Sequence, residues 1–517
     1  MTTPSLERPG IYINETLTPL AGAPGVPGQS VATFAGLYNI GPTVPTLITS
    51  WNEYTQTYGS FAQANGNYLH YAVYQFFNNG GSACYVLRVP NSDAVAASLV
   101  LQDVNTPPDN ALTVSAISPG AWGNNLFVAI TTAGNPGRFN VTVYNGGTTN
   151  AFLVENFIDL SINPSDTRNV VNVINSPIAG SDYISVVSTL PGAYTAGVSD
   201  LALISPSALT GGGDGVTAPD LTQSIPTSLD MLSGTILNLN VPALTNTSTV
   251  NALLTWAAGR GDVMMVIDGP SPTPPESSAQ VVQNYVGMVT GGSPITASSY
   301  ASLYAPWIQI TDPSSSLPNA TRWVPPGGAV LGVWSNTDNN TGPYQTPAGI
   351  TYGGINLVNV EARFTPTDQA NLNANNINAI RFVNGNSYIM GGRTLAQGYP
   401  DRYLAVRRML IQLEHDFTDL LQFALFEPND QTLWDQIDYT LDNYLNGLTQ
   451  QGVLGGSTNA TAYTIVCDSS NNTPASAGSG IVNVTVAVAL TSPAEFIIIN
   501  IQQQQNTGNT TVTTSTQ

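Results

Sequence analysis

The sequence contains no lysine: its 12 basic residues are all arginine, set against 32 aspartates and glutamates. Charged residues make up only 9% of the chain, far below the ~25% usual in soluble domains. The net charge of −20 and a pI near 4.1 exclude nucleic acid as a partner and disfavour an anionic membrane surface, because like charges repel. Cysteine is nearly absent. Cys84 and Cys467 each lie in an apolar, strand-like run and read as buried free thiols rather than a disulfide. The two histidines, His70 and His415, stand alone in helical segments, which favours packing or surface roles. No GxSxG elbow, HExxH or CxxC occurs. No apolar run reaches the ~18–20 residues needed to cross a bilayer. The beginning MTTPSLERPG lacks the basic and apolar regions of a secretory signal, so synthesis in a cytoplasm is expected. No catalytic residue, cofactor or metal site is expected.

An apolar content of 42% over 517 residues supports globular folding in more than one domain. Thr, Asn, Ser and Gly take over the surface role that charge normally fills. Arginine forks pair well with carboxylates at buried or interface positions. The arginines therefore read either as subunit contacts or as a compositional bias of the host.

Local patterns alternate between two regimes. FFNNGGSACYVLRV at 76–89 joins the end of an aromatic-rich helix (near 66–78) to a short buried strand, with Asn-Gly-Gly as the stop. From about 98 to 240, polar–apolar alternation and turn signals dominate. Asn125–Thr132 and Phe139–Tyr144 flank Asn135-Pro136-Gly137 as a hairpin, and Ile184–Leu190 reads as another strand. Helix and buried strand return with Val250–Trp256 and Val263–Ile267. A helix near Ala279–Val289 and a strand Trp307–Thr311 follow. Residues 313–355, rich in Gly, Pro and Asn, read as mostly loop. Tyr403, Val406, Leu410, Leu413, Phe417, Leu420 and Ala424 form one apolar stripe on a helix of about six turns. Leu433, Ile437, Leu441, Tyr444 and Leu448 form the stripe of a second helix, capped by Asn429 or Asp430. Strands are expected at Tyr463–Cys467, Ile481–Leu490 and Phe496–Ile501.

Three stretches invite a chemical reading and fail on closer inspection. GGGDG at 211–215 lacks the Lys-Ser/Thr of a phosphate loop and reads as a turn between domains. Asp338-Asn339-Asn340 resembles the start of a calcium loop, but the twelfth position is Gly349, not Glu. Asp268 ends a strand where α/β active sites form, yet a satisfied turn carboxylate is the better reading.

Several blocks resemble the tail sheath proteins of contractile bacteriophages and related injection machines. They are PGIYINE at 9–15, FAGLYNIGPTVPTLITSWNEYTQTYG at 34–59, the block at 76–89, SPGAWGNNLFV at 118–128 and LYAPWIQITDP at 303–313. VPPGGAVLGVWSNTDNNTGPYQTPAG at 324–349, RTL at 393–395, VRRML at 406–410, FEPND at 426–430 and LTSPAEFIIINI at 490–501 follow in family order. The resemblance implies an α+β / α/β multidomain fold. An α/β sheath core would carry a C-terminal helix pair and small sheet, an inserted β-rich domain and extended terminal arms. The expected boundaries are an arm at 1–30, core at 31–97 and 241–360, insertion at 98–240, a tube-facing C-terminal domain at 361–495 and an arm at 496–517.

The resemblance also implies a non-enzymatic subunit that polymerises as stacked rings around an inner tail tube and contracts to drive it through a cell envelope. Its partners would be copies of itself, the tube, baseplate and tail terminator proteins. It would be a virion component assembled in the host cytoplasm. A tailocin, another contractile injection system and a surface-layer protein are the alternatives. FIIINI at 496–501 and Ile11-Tyr12-Ile13 are uncharged β-prone segments that need a partner strand. In the family, terminal arms add strands to a neighbour's sheet. The implied strand-addition residues are Ile11, Tyr12, Ile13, Phe496, Ile497, Ile498 and Ile499, with Val484 and Val486 on the receiving sheet. Arg402, Arg407 and Arg408 are candidates for contact with the tube, and internal pairing with Glu414 or other carboxylates is the competing reading.

Overall fold

The computed structural model describes residues 30–61, 67–176, 179–272, 276–398, 401–456 and 458–495. They form two compact units, one ending at Pro428 and one starting at Asn429. The larger unit is built on an eight-stranded sheet. Its strands are β1 (Val31–Leu37), β2 (Thr46–Ile48), β3 (Cys84–Val89), β4 (Leu237–Asn240), β5 (Val263–Asp268), β6 (Ala301–Ala305), β7 (Ile377–Val383) and β8 (Asn386–Ile389), in spatial order β8-β7-β6-β5-β4-β1-β3-β2. Strands β7 through β3 run parallel, and β2 and β8 pair antiparallel at the edges.

Runs such as Val263-Met264-Met265-Val266-Ile267 are apolar throughout because a parallel sheet is covered on both faces. Alternate side chains enter different cores. Phe34, Val86, Met264, Val266 and Tyr304 fill one; Ala35, Leu87, Met265, Ile267 and Leu303 fill the other. Helices α1 (Trp51–Tyr58), α2 (Leu69–Asn78), α6 (Gly327–Asn340) and the start of α8 (Leu404–Leu420) contribute to the first core. Helices α3 (Leu221–Leu229), α4 (Thr247–Arg260), α5 (Ser278–Thr290) and α7 (Pro366–Ala374) contribute to the second.

Helix α6 corrects the expectation of a loop across 313–355. Its glycines are packing residues rather than chain breakers. A Cβ on Gly328 would meet the backbone of Ala72, and one on Gly332 would lie 2.5 Å from the Phe76 carbonyl. Their absence of side chain lets α6 lie directly on α2, while Val330, Leu331, Val333 and Trp334 are buried. Burial on all sides outweighs the intrinsic cost of glycine in a helix. Asp338 is therefore a helical residue and not part of a cation loop.

Between β3 and β4 the chain forms two antiparallel sheets. One orders Ile204–Ala208, Leu126–Thr132, Phe139–Asn145 and Leu153–Leu160; the other orders Ser98–Gln102, Asn110–Ala116 and Ile184–Ser188. Both feed a third core around Leu112, Val114, Val128, Val141 and Val186. The glycine run at 211–215 sits at the neck, where Gly213 bridges Val95 and the Gly212 N–H donates to Asn124 Oδ1. Arg88, 1% exposed, fastens the same neck by donating to the carbonyls of Tyr38, Gly41 and Pro119 and to Ser118 Oγ. Residues 237–240, which the sequence reading places in the insertion, are β4 of the large sheet, because Leu237 and Leu239 belong to its second core.

Helix α8 is shorter than expected, at 17 residues, and carries no single stripe in its first half. Leu404 through Met409 are all buried.

The close approach of α6 to α2 sets an expectation. Gly328→Ala should lower the unfolding free energy of the larger unit by about 1–3 kcal/mol. Gly259→Ala, in α4 where a Cβ meets nothing, should raise it by about 0.5–1 kcal/mol. Urea denaturation followed by tryptophan fluorescence measures both.

Candidate assembly site

The C-terminal unit is small and has one long helix, α9 (Gln431–Gln450), and one sheet. Asp430 caps the helix, its carboxylate accepting from the Leu433 N–H at 3.1 Å. Leu433, Trp434, Ile437, Leu441, Leu445 and Leu448 are buried, so the stripe runs through Leu445, while Tyr444 of the expected set is half-buried. Strand β9 (Tyr463–Val466) pairs antiparallel with β10 (Thr485–Val488), Tyr463 opposite Val488 and Val466 opposite Thr485. The Tyr463 hydroxyl donates to Asp442 Oδ1 at 2.7 Å and ties β9 to α9. Burial, then this contact, raises the phenol's pKa above its ordinary value.

Only these two strands form the sheet among the described residues, so each has one edge without a strand neighbour there. Val484, Val486 and Val488 are half-buried while Asn483, Thr485 and Ala487 are exposed, the period of a strand with one covered face. The link between the strands is laced by amides. Asn471 Nδ2 donates to the Val466 carbonyl (2.7 Å), Asn472 Nδ2 to the Asn483 carbonyl (2.9 Å), and the Asn483 N–H to Asn472 Oδ1 (2.6 Å). Beyond β10, the Ala489 N–H donates to the Ala462 carbonyl and its own carbonyl accepts from Gly455. Burial pushes the nearby Cys467 thiol up to about 11, and both cysteines are free and buried. Ile11, Tyr12, Ile13 and Phe496 to Ile499 lie outside the described residues.

Of the three arginines expected to meet a tube, Arg407 and Arg408 are buried and Arg402 is half-buried. Arg407 is 1% exposed, pairs with Glu414 at 3.0 Å and lies over the Tyr300 ring. Arg408 is 4% exposed, pairs with Asp338 and lies over Trp334. Glu414 is the internal partner named for Arg407 from the sequence. Both cations are enclosed because α8 enters the first core of the larger unit. Arg402 donates to the Gln397 carbonyl at 2.8 Å.

At the carboxyl edge of the large sheet, the position where open α/β sheets hold ligands is filled by the chain itself. Asp268 is fully buried; Oδ2 accepts from Asn240 Nδ2 (3.0 Å) and the Ala243 N–H (3.1 Å), and Oδ1 from the Gly327 N–H (2.8 Å). A Cβ on Gly327 would collide with Asn240 and stand 2.8 Å from Asp268 Oδ1. Burial outweighs these hydrogen bonds and pushes the carboxyl up to about 6. Glu361 accepts from the Trp307 N–H and is pushed up to about 7 by burial. His70 is buried against Tyr38, with Nδ1 2.8 Å from the Tyr54 hydroxyl, and burial pushes it down to about 4. His415 Nε2 lies 2.7 Å from the Gly234 carbonyl. Sequence reasoning missed α6 as the partner of Asp268 and Arg408. The signal available was the apolar AVLGVW run directly after Gly327-Gly328.

Residues 401–504 match the phage tail sheath C-terminal domain family. The tail sheath protein of Enterobacteria phage T4 is 28% identical over 159 residues, 30% of this chain and 23% of that protein. The tail sheath protein of Vibrio phage KVP40 is 29% identical over 156 residues, 29% of this chain and 22% of that protein. The aligned stretch thus spans about a quarter of the curated relatives' length. The fold matches over a wider range. The sheath complex of an extracellular contractile injection system in the contracted state superposes with a TM-score of 0.57 at 21% identity, covering 97% of this chain and 99% of that one. The contracted helical sheath of the anti-feeding prophage gives 0.55 at 20% identity, covering 97% and 100%. The chain has the multidomain α/β fold of these sheath subunits.

The raised Asp268 carboxyl fixes the sign of a pH effect. The folded state holds this proton more tightly than the unfolded state. The group's contribution to stability is therefore greatest below the ordinary aspartate value of about 4 and is lost as pH rises through about 6, an effect of about 3 kcal/mol. Urea unfolding of the larger unit between these pH values should show a decline that Asp268→Asn flattens.

Proposed function

We propose that this chain is the repeating subunit of a contractile sheath, a non-enzymatic protein whose copies stack as rings around an inner tube. Shortening of the stack drives the tube through a target envelope. The observation that carries this reading is the C-terminal unit. It holds a two-stranded sheet whose outer edges meet no strand among the described residues, in the segment that matches the tail sheath C-terminal domain. The likeness of fold over nearly the whole chain supports it. So does the large sheet's carboxyl edge, where a helix start occupies the usual ligand position.

In this reading the segments near 5–25, with Ile11, Tyr12 and Ile13, and 496–517, with Phe496 to Ile499, supply strands to a neighbour's β9–β10 sheet. Val484 and Val486 lie on the receiving strand. Main-chain hydrogen bonds give such contacts affinity with little demand on side chains. Extended connections let rigid bodies change relative position while staying joined, so two packings of one array coexist. The inner tube, a baseplate and a tail terminator are the further partners. The particle is a phage virion, a tailocin or a related injection device, assembled in the producing cell's cytoplasm.

Negative-stain electron microscopy of the purified full chain should show rings or helical tubes; a monodisperse monomer at every concentration and salt would sink the reading. Deletion of residues 1–20 should leave the circular dichroism and unfolding midpoint unchanged while abolishing polymers. Loss of folding in that variant would count against strand exchange by the arm.

A further inference from the structure

The described arginines are all engaged within the chain. Arg138 pairs with Asp159 and Asp166, Arg260 with Asp262 and Asp230, Arg322 with Asp312, Arg407 with Glu414 and Arg408 with Asp338. Arg88, Arg168, Arg393 and Arg402 donate to backbone carbonyls, and Arg381 to the Gln369 side chain. Even the exposed Arg363 lies over the Phe382 ring, 4.9 Å from its centroid. Arg8 falls outside the described residues.

The carboxylates are distributed differently. The arginine pairs involve Asp159, Asp166, Asp230, Asp262, Asp312, Asp338 and Glu414, and other described carboxylates, such as Asp419 and Asp435, are exposed. After Arg408 the sequence has no further lysine or arginine, so the C-terminal unit carries Asp430, Asp435, Asp438, Asp442, Asp468 and Glu495 with no cation among them. A chain with a net charge of −20 arranged this way has acidic surface on both units and, among the described residues, no basic face to set against it.

We propose that copies of this chain assemble against their own charge: the contacts that join them are main-chain and apolar rather than ionic, dissolved cations are taken up as the copies meet, and added salt strengthens the polymer. This rests on the sheath reading, and it sharpens it, because it names what the copy–copy interface lacks. Ordinary ionic interfaces behave in the opposite way. Complementary charge steers partners together and weakens as salt screens it, whereas a uniform excess of one sign keeps molecules apart until it is screened.

The test follows polymer formation by the full chain, using sedimentation and negative-stain microscopy, from about 10 mM to about 1 M NaCl, where the screening length falls from roughly 30 to 3 Å. The expected result is a polymerised fraction that rises roughly tenfold or more with salt, with MgCl2 acting at lower ionic strength than NaCl. A variant neutralised at exposed positions, Asp419→Asn with Asp435→Asn, should polymerise at lower salt than the parent. Polymers that form at low salt and dissolve as salt is added would overturn the inference while leaving the sheath reading intact. A salt effect identical in parent and neutralised variant would overturn it too, since salt would then be acting on apolar burial. Absence of polymer under every condition would overturn the sheath reading, and this inference with it.

Discussion

A helix seated on a buried carboxylate organises the larger unit. Asp268 closes β5 beneath the first turn of α6, and its oxygens also hold the end of β4 and the Ala243 turn. The far end of the same helix is fixed by a second buried carboxylate, Asp338, which pairs with Arg408 of α8. Between those anchors α6 must come close to α2, and only glycine at 328 and 332 allows it. One helix thus links the sheet, the helical layer on its first face and the start of α8. A favourable carboxylate at a helix N-terminus is an ordinary interaction. Its effect here is amplified by burial, because a carboxylate with no exposure has no water to fall back on.

The same arrangement fills the position at which this architecture usually holds a ligand. The crevice at the carboxyl edge of a parallel sheet is where this architecture normally receives a ligand. Gly327 fills it without a side chain, close enough that even a methyl group would collide with Asn240. Both Asp268 oxygens are taken up by Asn240, Ala243 and Gly327.

Much of this was legible from residue patterns. Buried strands such as Val263–Ile267, the hairpin around Asn135-Pro136-Gly137, and the helix stop at Asn79-Gly80 follow from local chemistry that tertiary contacts only reinforce. Two kinds of feature were not legible. Helix α6 reads as loop because its glycines signal flexibility locally, while their role depends on a helix some 250 positions earlier in sequence, seen in the Asn339–Ser82 hydrogen bond separated by 257 residues. Arg407 and Arg408 read as candidates for an outside partner because of the family resemblance, with internal pairing left open. They are inside because Glu414, Tyr300, Asp338 and Trp334 meet them there. Charge alone does not say which side of a helix is wet. In the candidate assembly sheet, β9 and β10 were foreseeable from alternation, with β10 shorter than the apolar run suggested. The amide lacing of its loop was not, since asparagines at 471, 472 and 483 look like ordinary turn residues.

That lacing has a thermodynamic consequence. Asn471, Asn472 and Asn483 close the β9–β10 connection with neutral donors and acceptors, and Tyr463 braces the opposite end on α9. In the strand-exchange reading, a sheet ordered in advance spares the entropy of ordering the receiver and leaves the incoming strand's own ordering and the loss of translational and rotational freedom. The three asparagine brackets carry no ionisable group and are indifferent to acidity, whereas the Tyr463 brace ends on the Asp442 carboxylate and Asp468 accepts from the Ser470 N–H within the loop, so acidity reaches this sheet through those two aspartates.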